Sequence, residues 1–126
     1  MLEKTVYYHD TDAIGVMYYG SYLKLLEEGR TQFFQSRSIP VKKLHEQKNF
    51  FVIIDLKVQY KSPARFGEVV VCESKVDKIT GAKIHISQKI YNKNTNIALL
   101  EAQSIFAIVN RDFRLIKIPN EIRDLL

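Results

Sequence analysis

Cysteine is nearly absent from this chain of 126 residues: Cys72 is alone. An intramolecular disulfide needs two, so a disulfide-stapled scaffold is excluded, and so are cysteine-rich zinc sites. Long apolar runs are missing as well. Unbroken stretches go no further than segments such as Phe50 to Ile54, far short of the roughly 20 residues that a bilayer-spanning helix needs. Residues 1–15 hold no positively charged start followed by an apolar stretch. No signal peptide is therefore expected, and the cytoplasm is the expected compartment. Nor is charge of one sign concentrated anywhere. The net charge is +5, yet residues 1–63 carry nine Lys/Arg against seven Asp/Glu, and residues 64–126 carry ten against seven. Without a run of about five or six like charges, or a known motif, no nucleic-acid partner is expected. Mild, evenly spread basicity suits solvation, or an anionic small molecule.

What is present is an ordinary globular composition, 46% hydrophobic and 26% charged. That is too apolar for a disordered chain. The length implies a single domain over residues 1–126, large enough for one core without staples. Residues 2–9 read as a strand, rich in β-branched and aromatic types. From Tyr18 to Arg37, apolar Tyr22, Leu23, Leu26, Phe33 and Phe34 recur at helical steps, and Ser38-Ile39-Pro40 supplies the stop. A short second helix follows over Val41 to Glu46. The period then becomes two. Strands are expected at Phe50 to Tyr60 (Val52, Ile54, Leu56, Val58 and Tyr60 sharing a face), Glu68 to Lys78, Lys83 to Tyr91 and Ile97 to Asn110. An edge strand at Leu115 to Ile118 and a helix opened by Pro119 complete the chain. This order predicts an α+β domain, one antiparallel sheet with a long helix on one face. Its open edges favour self-association, so a homodimer is expected.

The unusual residues lie between Tyr7 and Arg30. Asp10 and Asp12 sit two apart in a turn-rich segment, just before the long helix. Free N–H groups at a helix start can hold a developing oxyanion. A carboxylate delivered from the preceding loop can serve the same carbonyl as nucleophile or general base. Gly15 allows a tight turn or close approach to a ligand. The same D-x-D pattern also serves as a solvated turn with a capping aspartate.

The string Tyr8-x-Asp10-Thr11-Asp12-x-x-Gly15-x-x-Tyr18-x-x-x-Tyr22-x-x-x-x-Glu27-x-x-Arg30 resembles the 4-hydroxybenzoyl-CoA thioesterase family of hotdog-fold proteins. It is nearest to the YbgC-type (Tol-Pal-associated) acyl-CoA thioesterases. The segment Val58-x-Tyr60-x-x-Pro63-Ala64-Arg65 resembles that family's strand and turn. The resemblance implies an antiparallel sheet curled around a long central helix, and hydrolysis of acyl-CoA to free acid and CoA. It implies that Asp12 is catalytic, as nucleophile or as base toward water, and that the Tyr19 backbone N–H polarises the thioester carbonyl. Asp10 matches a loop-supporting position. Many YbgC-type members carry His where this chain has Tyr19, but a backbone N–H does not depend on the side chain. At that position the chain is nearer to the hydroxybenzoyl branch. No cofactor or metal is implied, since coenzyme A belongs to the substrate. The resemblance also implies a homodimer, pairing into a tetramer, with sites at the dimer interface. Two alternatives stay open: a hotdog protein that binds acyl-CoA or acyl-carrier protein without turnover, or a thioesterase acting on acyl-carrier protein.

Cations are needed for the phosphates of coenzyme A. Lys61, Ser62, Arg65 and Lys83 stand at strand ends or turns, where the resemblance implies that CoA binds; each taken alone also reads as a solvated surface residue. Tyr8, Met17 and Tyr18 are candidates for shaping the acyl pocket or for core packing. Glu27 competes for the catalytic role, since the resemblance extends to hotdog enzymes of another branch that use a carboxylate from the central helix. Glu27 and Arg30 are also spaced to form an ion pair on the helix surface, which is the expected reading. Gly29, costly inside a helix, implies close packing of that helix. His9, His45 and His85 are expected to be exposed, with no metal-ligand spacing. Cys72 reads as a small, inert strand residue.

Overall fold

The computed structural model describes residues 1–126. The elements run β1 (Leu2–Thr5), a 3-10 turn (Tyr8–Asp10), α1 (Tyr19–Ser36), α2 (Val41–Glu46), β2 (Phe50–Tyr60), β3 (Val69–Ile79), β4 (Lys83–Asn92), β5 (Ala98–Val109), β6 (Leu115–Ile116) and α3 (Asn120–Arg123). The strands form one antiparallel sheet in the order β1-β3-β4-β5-β2, with β6 paired to β5. The sheet curls around α1, the α+β hotdog architecture that the sequence predicts.

Helix α1 faces the sheet with Tyr22, Leu25, Leu26, Gly29, Arg30 and Phe34. These follow the three- and four-residue steps of one helical face. Leu25 is inward in place of the expected Leu23, which is 40% exposed. The helix ends in a Schellman motif. Ser38, at φ 58°, donates its N–H to the Gln35 carbonyl, and Ile39 donates to the Phe34 carbonyl. Under its N-terminal half lies a core of Tyr22, Leu25, Leu26, Val70, Ile90 and Leu100. Under its C-terminal half lies a second, with Phe34, Ile84, Ile86, Phe106 and Ile108.

The first strand stops at Thr5, short of the expected 2–9, because Asp10 competes for its backbone. The Asp10 carboxylate accepts the Tyr7 N–H at 2.9 Å, and the Asp10 N–H returns to the Tyr7 carbonyl at 3.0 Å. A side chain that bonds nearby backbone in this way replaces a sheet ladder with a turn. The second departure is in β2. Its register with β5 shifts between Ile53 and Asp55, so Ile54 is an extra residue and the faces exchange there. Phe51 and Ile53 pair with Ile108 and Phe106 before the bulge; Leu56, Val58 and Tyr60 pair with Ser104, Ala102 and Leu100 after it. The helix-facing set is therefore Phe51, Ile53, Leu56, Val58 and Tyr60, and Val52 and Ile54 do not share that face.

Candidate active site

Residues 10–18 form a small hairpin. Thr11 pairs with Met17, the Asp12 N–H donates to the Val16 carbonyl at 2.9 Å, and the Tyr18 N–H donates to the Asp10 carbonyl at 2.8 Å. Its turn is shaped by Gly15, which has φ 80° and donates its N–H to the Asp12 carbonyl at 3.1 Å. A Cβ at Gly15 would meet nothing within 4 Å, so backbone conformation, not space, calls for glycine. The 61–67 connection docks as a third strand of this miniature sheet. Val16 pairs with Arg65, and Met17 donates its N–H to the Ala64 carbonyl at 2.7 Å.

Asp12 is exposed on this hairpin. One carboxylate oxygen accepts the Ile14 N–H at 3.0 Å; the other takes no hydrogen bond from the chain. The returning arm of the hairpin runs directly into α1. Tyr18 is its N-cap and makes no side-chain capping bond. The N–H groups of Tyr19 and Gly20 donate to nothing in the chain. A carboxylate on the hairpin is thus followed in the chain by a helix start with open donors. Together they can present a nucleophile or base and an oxyanion site to one carbonyl.

Asp10 is the opposite of Asp12. It is buried, and its carboxylate takes the Tyr7 N–H at 2.9 Å, Lys4 Nζ at 3.0 Å and His9 Nε2 at 3.5 Å. Its carbonyl accepts both the Tyr18 N–H and the Ser21 hydroxyl. Burial pushes the Asp10 carboxyl up, but the Tyr7 N–H, Lys4 and His9 outweigh it and hold the group below its ordinary value. The residue supports the loop, and His9 is exposed beside it.

Of the other expected site residues, most gather here. The Tyr8 ring is 81% exposed and meets Phe66 edge-on at 6.1 Å. Tyr18 and Tyr19 have ring centroids 4.4 Å apart. Arg65 is exposed next to the hairpin. The N–H groups of Lys61 and Ser62 both donate to the Leu99 carbonyl, and Lys61 Nζ lies 3.3 Å from Glu101. Lys83 does not join them within one chain. It pairs with Ala107, whereas Tyr60 at the site end pairs with Leu100, roughly 24 Å away at 3.4 Å per strand residue. A concavity of about 710 Å³ borders Gly29, Phe33, Ser74 and Gln88 and contains neither Asp12 nor Tyr19.

The expected Glu27–Arg30 ion pair does not form. Glu27 accepts the Thr31 hydroxyl, while Arg30 turns inward, donates to Gln88 Oε1 at 3.1 Å and lies over the Phe106 ring. Burial lowers the Arg30 pKa, against the neighbouring Glu27 and Cys72. Gln88 also donates to the Leu26 carbonyl at 2.9 Å and the Ser74 hydroxyl at 3.0 Å. The signal for this buried patch is in the strand itself: Gln88 interrupts the inward series Ile84, Ile86 and Ile90. Cys72 is buried beside it, and burial pushes its thiol up to about 11, which leaves it protonated and inert. His45 is exposed as expected, and His85 is half-buried. No group of His, Cys, Asp and Glu side chains converges as a metal site.

The curled sheet wrapped on a central helix is the hotdog fold, here with a carboxylate-bearing hairpin ahead of that helix. Residues 14–98 match the thioesterase superfamily, to which this chain belongs. Among its relatives, the acyl-CoA thioesterase YbgC of Helicobacter pylori is 30% identical over 96% of this chain and 95% of its own length. The acyl-CoA thioester hydrolase YbgC of Escherichia coli O6:H1 is 30% identical over 83% of this chain and 78% of its own. A 1,4-dihydroxy-2-naphthoyl-CoA thioesterase from Synechocystis superposes with a TM-score of 0.90 at 16% identity, covering 98% of this chain and 92% of that one. The last likeness concerns the fold.

Proposed function

We propose that this chain is a cytoplasmic thioester hydrolase that cleaves acyl-CoA to free acid and CoA, with Asp12 as its catalytic carboxylate. One observation carries the assignment of residues. Asp12 is exposed, with one oxygen unengaged, on a hairpin that leads into a helix whose Tyr19 and Gly20 N–H groups have no partner. The thioester carbonyl oxygen accepts the Tyr19 N–H, and charge gathering on that oxygen is stabilised by the helix start. The Asp12 carboxylate either attacks the carbonyl carbon, giving a mixed anhydride that water then opens, or takes a proton from an attacking water. On both routes the C–S bond breaks, CoA leaves as its thiol and the acyl group leaves as its carboxylate. No cofactor takes part in either route.

Arg65, Lys61 and Ser62 lie toward the site end and are assigned to the phosphates of coenzyme A; Lys83 can contribute only from another copy of the chain. Tyr8, Tyr18 and Gly15 border the acyl side. The working unit in this reading is a homodimer joined through β2, with two dimers forming a tetramer. Tyr60, the last residue of β2, donates its hydroxyl to the Tyr19 carbonyl at 3.3 Å, so the edge strand reaches the site.

The test is thiol release from short, long and hydroxybenzoyl CoA esters by the wild type and by Asp12→Asn. The wild type turns over, and the variant loses at least about 10²-fold in kcat, roughly 2.7 kcal/mol of barrier. A wild type inert on every CoA ester would overturn the acyl-CoA reading in favour of carrier-protein thioesters or binding. An equally active Asp12→Asn would remove Asp12 from the chemistry and make Glu27 the next carboxylate to change.

A further inference from the structure

The proposed chemistry leaves Tyr22 without a role, although it lies in the first turn of α1 and is 3% exposed. Its phenol oxygen accepts the Ala64 N–H at 3.0 Å. Ala64 is itself fully buried, so water has no access with which to replace that acceptor. The Ala64 carbonyl in turn accepts the Met17 N–H at 2.7 Å. Met17 N–H and Val16 C=O are the two ends of one planar peptide unit. That Val16 carbonyl accepts the Asp12 N–H at 2.9 Å. A series of hydrogen bonds therefore runs from the first turn of α1, through Ala64 and a rigid peptide, to the backbone of Asp12. The same ring packs edge-on against Tyr60 at 5.5 Å, and Tyr60 donates to the Tyr19 carbonyl. On the other arm of the hairpin, the Asp10 carbonyl is held by the Tyr18 N–H and the Ser21 hydroxyl. Both arms are thus tied to the helix start, but only the Tyr22 arm ends on the Asp12 amide.

We propose that Tyr22 is a positioning residue: its phenol oxygen, acting through Ala64 and the Val16–Met17 peptide, fixes Asp12 against the N–H groups that open α1. The proposal rests on the thioesterase reading for its kinetic consequence, not for the tie itself. Displacing a reacting group by about 1 Å is enough to cost on the order of 10² in rate. Tyr22→Phe keeps the ring and its packing and removes only the acceptor.

The experiment combines steady-state kinetics on the preferred acyl-CoA with amide hydrogen exchange on the full chain. Ile122→Val, in the second core away from the hairpin, serves as a control for general destabilisation. Tyr22→Phe is expected to lower kcat about tenfold or more with KM within about twofold, and to speed exchange at Ala64, Met17 and Asp12 together. A kcat loss no greater than that of Ile122→Val, or faster exchange confined to Ala64, would overturn the proposal. Should Tyr22→Phe not fold, the wild type decides: Ala64, Met17 and Asp12 amides opening as one unit under mild denaturant support the tie, and unlike protections overturn it. If the wild type cleaves no thioester, the functional reading falls while the exchange result still decides the tie.

Discussion

Asp10 and Asp12 carry the same side chain two positions apart, and the backbone around them assigns them opposite work. Asp10 is buried among donors; Asp12 projects from a turn. Burial alone would raise the Asp10 carboxyl, but the Tyr7 N–H, Lys4 and His9 depress it below the 3.8 it has when unperturbed. A depressed folded value means that the unfolded chain binds the proton more tightly. The stability that ionised Asp10 supplies is therefore fully present above about pH 4 and is lost as pH falls through the folded value. Asp10→Asn should be less stable than the wild type at neutral pH, because Lys4 loses its partner charge and one carboxylate acceptor becomes an amide. It should also show a flatter acid limb. Denaturant midpoints of both proteins from about pH 2 to pH 7 check this; parallel limbs would remove Asp10 as a source of acid sensitivity.

At the scale of elements, the polar layer beneath the middle of α1 sets how closely the helix lies on the sheet. A Cβ at Gly29 would stand 2.7 Å from Cys72 Sγ and 3.2 Å from Gln88 Nε2. The glycine is thus required by close approach, at a helix-propensity cost of about 1 kcal/mol. Gly29→Ala should destabilise by about 1–3 kcal/mol through overpacking. Adding Cys72→Ala removes the nearest colliding atom, so the double variant should be more stable than the sum of the single effects predicts. Thermal or urea unfolding of the full cycle measures the coupling; simple additivity would show that the contact is not what excludes a side chain at Gly29.

The same region shows what a sequence can and cannot disclose. The glycine inside a helical pattern already implies close packing, and the strand periods already imply the sheet. The inward turn of Arg30 is not legible locally, because its partner Gln88 lies 58 residues away, whereas Glu27 lies at a helical spacing that also permits an ion pair. The bulge at Ile54 is hidden for a similar reason. Phe50 to Ile54 is continuously apolar, so no polar residue marks the position where the faces exchange. At the site, the D-x-D pair, Gly15 and the helix start are local features and were legible by spacing and resemblance. The docking of Ala64 on the hairpin is a long-range pairing that spacing alone does not reveal.

For the whole molecule the decisive feature is the unequal treatment of the sheet's two borders. On one side β1 is short and pairs with β3 only from Leu2 to Thr5. On the other, β2 runs from Phe50 to Tyr60 with no strand beyond it. Ile53, Ile54 and Leu56 are 40%, 45% and 38% exposed there. A long apolar border with unpaired N–H and C=O groups is a template for pairing with another strand, and a second copy supplies an equivalent border about a two-fold axis. Pairing β2 with β2 would extend the sheet across both chains and bring the Tyr60 end of each border, and hence the Tyr19 helix start, to the interface. Leu56→Lys, placing a charge on that border in each copy, should shift the assembly toward monomer. Sedimentation or light scattering at several concentrations reads the mass directly. If the sites depend on the assembly, acyl-CoA turnover should fall as the monomer fraction rises and recover at high protein concentration. A monomeric Leu56→Lys with full activity would detach catalysis from dimer formation, and an unchanged mass would move the interface away from β2.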